Sequence, residues 1–354
     1  MKQVCGHVPG HLNQCNHILK TASGREIMHL LPYLCWLSLY SLTAAKEGKE
    51  HWCYLSQKCK EPECKEPRQW DQLDNDCGKD KQSPINILTS KVEYDWNLAP
   101  FRFEKYNTEQ SSPWTVSNNG HTVQVDLDGS AKIEAGGLQG KYKAIQFHFH
   151  WGNDDSQQNR RVSPGSEHSI DGERYAMELH IVHIKEQFKD IKAALAENGV
   201  AVLGFFIEVG KRNENYTPLI SWLKNISFNG NEIKVPALRL DSLIPKTEDL
   251  TSFYRYTGSL TTPGCNENVV WTLFEKNIEL QLGQVQEFWM QLYFGTSKND
   301  SWMVDTFRPV QPLGDRIVYK SDSNRFSPPA NILLLIPTTM YIILSHLGEG
   351  WLDI

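Results

Sequence analysis

The chain has 354 residues, 40% of them hydrophobic, with eleven tryptophans and a formal net charge of -6. That is enough apolar material for one large domain with a substantial core, plus processing segments. The mildly acidic balance, with no basic run, excludes a nucleic-acid-binding surface.

Residues 1–27 read as an extension ahead of the true start at Met28, because a secretory signal begins at its initiator. From Met28 an apolar stretch runs to Leu42 and is followed by the small residues Thr43-Ala44-Ala45. This is the pattern of a signal peptide over 28–45, too short to span a bilayer. Secretion makes the later cysteines candidates for bridges. There are five of them, Cys53, Cys59, Cys64, Cys77 and Cys265, so one is left over. A bridge from Cys77 to Cys265 would close a very long loop and contribute roughly 4–5 kcal/mol in the chain-entropy picture. The three early cysteines allow one local bridge, and their spacing leaves its partners open.

From Ser83-Pro84-Ile85-Asn86 to about residue 318, short β-rich runs alternate with turn signals. Strands are expected at 114–116, 122–127, 145–151, 176–184, 200–209 and 268–273. Thr217-Pro218 reads as an N-cap and first helical residue of a helix to about Asn225. A second helix is expected over 284–292, ended by Gly295. The result is a mainly β, α+β domain over 46–320 with few helices and no repeats. Asn215-Tyr216-Thr217, Asn225-Ile226-Ser227 and Asn299-Asp300-Ser301 match the N-glycosylation acceptor pattern. A second apolar run, Ile332 to Leu347, follows Ser321-Asp322-Ser323-Asn324 and a Pro-Pro spacer. Small residues, spacer and tail over 321–354 resemble a GPI-attachment signal. The polar finish at 348–354 departs from that pattern, and a secreted or single-span form is the alternative.

The chemistry gathers in Gln146-Phe147-His148-Phe149-His150-Trp151 and in Glu178-Leu179-His180-Ile181-Val182-His183. Both alternate polar and bulky apolar residues, the mark of a strand with one face turned to a pocket. Pleat parity places Gln146, His148 and His150 on one face and Phe147, Phe149 and Trp151 on the other. In the second run Glu178, His180 and Val182 share a face that excludes His183. A histidine pair on one strand and one histidine on a neighbour supply three nitrogen ligands to a tetrahedral ion and leave the fourth position for water. That is a catalytic zinc arrangement rather than a closed structural one. Gln146 and Glu178 each stand two residues before a ligand, in phase to hold a ring N–H. A lone histidine among aromatics is more often a core residue; the doubled pattern favours metal.

Together with those two runs, Gln82-Ser83-Pro84-Ile85-Asn86, Asn119-Gly120-His121, Gly165-Ser166-Glu167-His168 and Gly258-Ser259-Leu260-Thr261-Thr262-Pro263 resemble the α-class carbonic anhydrases. The resemblance runs from about His51 to Lys320. Within the family, Trp52-Cys53-Tyr54, Cys77 and Cys265 resemble the membrane-anchored extracellular type IV and XV branch. That branch implies bridges Cys77–Cys265 and Cys53–Cys64, with Cys59 unpaired. The family implies a large central, twisted, mostly antiparallel sheet with short surface helices and zinc at the bottom of a conical cleft.

By the same resemblance, Zn2+ held by His148, His150 and His180 hydrates CO2 to bicarbonate and a proton through zinc-bound hydroxide. Zinc lowers the pKa of its water to about 7, a figure taken from carbonic anhydrase itself. Thr261 accepts a hydrogen bond from the hydroxide and directs its own hydroxyl proton to Glu167, whose carboxylate only accepts. Thr262 seats bicarbonate, and Val182, Val202, Leu260 and Trp271 form the apolar wall for CO2. His121 matches the proton shuttle, a role that suits a group titrating near neutral pH. Tyr54 and Asn119 match residues that order the intervening waters. Gln124 stands where the fastest isozymes carry asparagine. His168 and His183 match residues with structural roles. The resemblance places the enzyme in the secretory pathway, on the extracellular face of the plasma membrane or secreted, with CO2 and bicarbonate as its partners; an association with bicarbonate transporters is not readable. Two other readings stand beside this one. A catalytically silent module on the same fold typically lacks a zinc histidine, and all three are present. Ester hydrolysis by the same hydroxide is an accompanying activity.

Overall fold

The computed structural model describes residues 51–57, 64–154 and 162–321. The expected extension and signal peptide, Cys59, and the tail beyond Ser321 lie outside the described residues. Strands in chain order are β1 (Asn86–Ile87), β2 (Glu93–Tyr94), β3 (Phe101–Glu104), β4 (Trp114–Asn118), β5 (Val123–Asp126), β6 (Lys132–Ala135) and β7 (Tyr142–Trp151). They continue with β8 (Ser169–Ile170), β9 (Met177–Lys185), β10 (Val200–Val209), β11 (Glu232–Val235), β12 (Phe253–Ser259), β13 (Glu267–Leu280) and β14 (Tyr319–Lys320). The α-helices are α1 (Ile191–Ala196), α2 (Thr217–Leu223) and α3 (Leu282–Gln291). Among the described residues no helix is long and apolar enough to cross a membrane.

Twelve strands form one sheet in the order β11-β4-β5-β7-β9-β10-β13-β12-β14-β2, with β6 pairing β7 and β3 pairing β6. Its parallel pairs are β10 with β13 and β14 with β2; the other pairings are antiparallel. The expected mainly β, mostly antiparallel sheet is what forms. β7 and β9 lie at its middle, and β9 is buried along almost its whole length because both faces are covered.

The aromatic face of β7 packs as parity requires. Phe147, Phe149 and Trp151 are wholly buried. Trp114 meets Phe147 edge-on at 5.4 Å between ring centroids, and Phe288 of α3 lies 5.4 Å from Trp151. Val285, Phe288 and Trp289 form the buried stripe of α3, at the three- and four-residue spacing of one helix face. Truncating any of these rings would cost about 3–5 kcal/mol.

Boundaries differ from expectation where neighbours decide them. Thr217 is the first residue of α2 rather than its cap; Tyr216 occupies the cap without a side-chain bond. A preceding 3-10 turn, Glu214–Tyr216, already receives the Thr217 amide, so no side-chain cap is needed. Helix α3 begins two residues earlier than expected, with a capping box between Gln281 and Gln284. It ends at Gln291, before Gly295, because Leu292 turns extended and its carbonyl takes the Met303 amide. β13 continues to Leu280, through Glu275–Glu279, whose alternating polar residues sit half-exposed or exposed on one face. Among the described residues the disulfides are Cys53–Cys64 and Cys77–Cys265, as the resemblance implies.

Candidate active site

His148 and His150 come from β7 and His180 from β9, and the antiparallel register sets His148 opposite His180 and His150 opposite Glu178. The three rings lie 4.6–5.2 Å apart between centroids. One nitrogen of each falls within 4.8 Å of the other two.

The outer nitrogens fix the tautomers. His148 Nδ1 is 2.8 Å from Gln146 Oε1, His150 Nδ1 is 2.7 Å from the Thr306 carbonyl, and His180 Nε2 is 2.6 Å from Glu178 Oε1. All three partners accept, so each outer nitrogen carries the hydrogen and each inner nitrogen a lone pair. His180 Nδ1 and His148 Nε2 then face each other at 3.3 Å with no proton between them. His150 Nε2 is buried and has no hydrogen-bond partner among the described residues. Convergent lone pairs without donors are what a cation satisfies, so this donor set fits a metal ion, and zinc in particular for three imidazoles. Burial, reinforced by the neighbouring rings, holds His148 well below the usual imidazole range and His150 down to about 3. Neutral ligands follow.

Glu178 is the hub beneath this cluster. Its Oε1 accepts from His180 and from His168 Nδ1 at 2.7 Å, while Oε2 accepts the backbone amides of Glu167 and His168. Burial would raise this carboxyl, but His168 and His180 outweigh it and hold Glu178 well below the carboxylate range. His168 in turn accepts the Tyr256 hydroxyl at 2.6 Å, which is 2.7 Å from Ser83 Oγ. Glu167 is wholly buried; its Oε1 accepts the Arg308 amide at 2.8 Å, and its Oε2 lies 3.4 Å from His150 Nε2. Burial lifts the Glu167 carboxyl to about 7, against the lowering pull of His180, the Arg308 amide and the Thr261 hydroxyl. Thr261 is buried beside it, at the start of a turn closed by the Cys265 amide on the Thr262 carbonyl and held by the Cys77–Cys265 bridge.

Val182, Val202 and Trp271 stand side by side on β9, β10 and β13, with Leu260 packed against the same cluster. The Trp271 ring is 4.8 Å from that of His180. An apolar wall thus adjoins the imidazoles. His121 sits farther out, in the turn between β4 and β5. Gly120 adopts φ 83 there, a conformation a side chain would strain, and a Cβ would strike Asn229. Asn119 Oδ1 accepts the His121 and Thr122 amides, so its carbonyl is committed to shaping this turn. The His121 ring stacks on Trp52 at 3.6 Å and 11°, with Tyr54 at 6.3 Å. Burial and the proximity of His51 push His121 down to about 4. Gln124 pairs with His148 across β5 and β7, and its amide donates to Asp126 at 2.8 Å.

Sequence reasoning missed Thr306 and Arg308. Both reach the site through backbone atoms, which leave no residue-type signature, from a segment 150 residues away in the chain.

A sequence profile of the eukaryotic-type carbonic anhydrases matches residues 65–322. Carbonic anhydrase 4 of Rattus norvegicus is 40% identical over 318 residues, covering 88% of this chain and 98% of the relative. Carbonic anhydrase 15 of Mus musculus is 34% identical, covering 91% and 97%. Carbonic anhydrase 12 of Homo sapiens is 36% identical over 72% of the chain. The chain belongs to the eukaryotic-type carbonic anhydrase family, a family of zinc-dependent lyases. Its likeness to carbonic anhydrases 4 and 15 extends over most of both chains.

Proposed function

We propose that the protein is a zinc enzyme that reversibly hydrates CO2 to bicarbonate and a proton at the His148–His150–His180 cluster. Three lone pairs aimed at one point, each locked by an accepting partner on the far ring nitrogen, carry this reading. When bound, zinc supplies a water acidic enough to act as a nucleophile at neutral pH. The protein's own groups do the rest. Thr261 holds the attacking oxygen by accepting a hydrogen bond from it, while its own hydroxyl donates to Glu167, whose ionised, acceptor-only form a cation at the cluster would favour. Val182, Val202, Leu260 and Trp271 offer weakly polar CO2 a site where little water is held, and Thr262 seats bicarbonate. Gln146 and Glu178 keep the ligand rings oriented.

His121 carries the proton outward, across waters ordered by Tyr54, Asn119 and Gln124. Burial and the proximity of His51 hold its pKa down to about 4, and a more exposed ring would titrate nearer neutral pH. Residues 28–45 act as a signal peptide, 46–320 as the catalytic domain and 321–354 as the region directing glycolipid attachment. N-glycans are carried at exposed acceptor sites. The enzyme then works outside the cell on the plasma membrane, as its likeness to carbonic anhydrases 4 and 15 supports.

Chelating the metal should abolish CO2 hydration, and zinc alone should restore it. Folded, zinc-loaded protein without hydration activity would instead support a silent binding module. Turnover of an activated ester, measured on the same samples, should rise and fall with hydration.

A further inference from the structure

Among the described residues the sheet ends at β2, and the last of them, Ser321, follows β14 beside that strand. β14 runs parallel to β2, pairing Tyr319 with Glu93 and Lys320 with Tyr94, and the Asp95 amide extends the ladder to the Lys320 carbonyl. Ser321 is pinned by its amide on the Phe253 carbonyl and its hydroxyl on that of Thr251. On this edge two large aromatic residues stand out from the surface, Tyr94 at 57% and Trp96 at 56% exposure, their rings 6.4 Å apart. Ile317, just before β14, is exposed as well. The parallel direction carries Trp96 beyond Tyr94, towards the same end as Ser321.

We propose that this outer edge, with Tyr94 and Trp96, lies against the lipid headgroups of the membrane to which the chain is tethered. The inference rests on the proposed tether, and the geometry adds the face that meets the lipid. The small residues 321–324, where attachment is read, follow β14 directly, so at most about 15 Å of extended chain separates that strand from its anchor. Tyrosine and tryptophan, each with an apolar ring and a polar tip, are the side chains that favour the headgroup level. Tyr94 lies on the strand that ends the sheet among the described residues, and Trp96 follows two residues later. Five strand spacings separate β2 from β9, so His180 stays roughly 24 Å from the bilayer surface at about 4.8 Å per strand.

Hydroxyl-radical footprinting reads this directly on the full protein in cell membranes and after release by phosphatidylinositol-specific phospholipase. The expected result is a several-fold lower oxidation of Tyr94 and Trp96 in the membrane-bound form. Met290 and Trp302, exposed to similar extents at 55% and 46%, should oxidise equally in both. Bound protein with Tyr94 and Trp96 unchanged, or with Met290 and Trp302 protected instead, would overturn the proposal while leaving the tether intact. Protection that persists in the released form and grows with concentration would mean a second copy of the chain and would also overturn it. If the lipase releases nothing but detergent does, the comparison is made against detergent-released protein and decides the proposal in the same way. Protein found only in the medium would sink both readings. The double variant Tyr94→Ser, Trp96→Ser should hydrate CO2 as fast as the parent and bind phosphatidylcholine vesicles several-fold more weakly after lipase release; unchanged binding counts against the proposal.

Discussion

The imidazole cluster and the His121 turn are both histidine sites, and they are built in different ways. At the cluster every ring is placed by strand register and locked by a buried acceptor. Glu178 is tied at four points and has no freedom to move without breaking them. His121 is held by a turn, by a stack on Trp52 and by a bridge, Cys53–Cys64, that pins the Trp52 segment to Lys65. Its Nδ1 has no hydrogen-bond partner among the described residues. A metal site demands fixed vectors; a group that must give up a proton to solvent must be able to turn. The cluster fixes each ring through its outer nitrogen, whereas the His121 ring is held by its stack on Trp52.

Four changes test that contrast. Replacing His148 with alanine should remove zinc and lower CO2 hydration by at least about 10³-fold. Added imidazole should not rescue it, because a diffusible ring cannot replace a vector set by β7; rescue in metal content and rate would contradict the contrast.

The next effect belongs to His183, buried on the opposite face from the ligands. Its Nδ1–H donates to the Ile181 carbonyl at 3.0 Å and its Nε2 accepts the Tyr106 hydroxyl at 2.6 Å. Burial holds it down to about 3, from 6.5 in the unfolded chain. Between those values the unfolded state binds the extra proton, so stability is full above pH 6.5 and is lost as the pH falls towards 3. The total is about 3–5 kcal/mol. Denaturant titrations of zinc-loaded protein from pH 7 to 4 should show that slope, reduced in a His183→Gln variant; a flat profile would exclude it.

His121→Ala should lower turnover in weak buffer by about 10²-fold. Here kcat/KM should stay near the parent value and imidazole should restore the rate, since a proton carrier can be replaced from solution. Loss of kcat/KM would place His121 in the CO2 step instead. The smallest change is Trp52→Ala. Removing the ring that covers His121 should raise its pKa from about 4 towards 6.5, read by NMR titration of the imidazole; an unmoved value would assign the depression to other neighbours.

The candidate ligands could be singled out in the sequence because a strand alternates with a period of two. His148, His150 and His180 could be selected, and His183 rejected, by counting residues. The same periodicity placed Gln146 and Glu178. It could not reach Thr306 or Arg308, whose contributions are a carbonyl and an amide common to every residue. Nor could it read the second role of Glu178, as acceptor for His168, because the two are ten residues apart on separate segments. β12 escaped notice because Phe253-Tyr254-Arg255-Tyr256 is apolar on both faces save for one arginine, whose guanidinium reaches Gly136 and Thr272. Helix ends were misplaced for the same reason: a preceding 3-10 turn and a partner for the Leu292 carbonyl decided them.

By itself, then, the chain determined which side chains share a face, which cysteines were available and which family its motifs join. Alternation and motif order are local properties carried along the backbone. The tertiary structure alone decided which nitrogen of each ring points inward, which carboxyl is driven up and which down, and that Tyr319 and Lys320 pair beside Tyr94. Those outcomes depend on burial and on partners brought together across more than a hundred residues, and no local pattern encodes them.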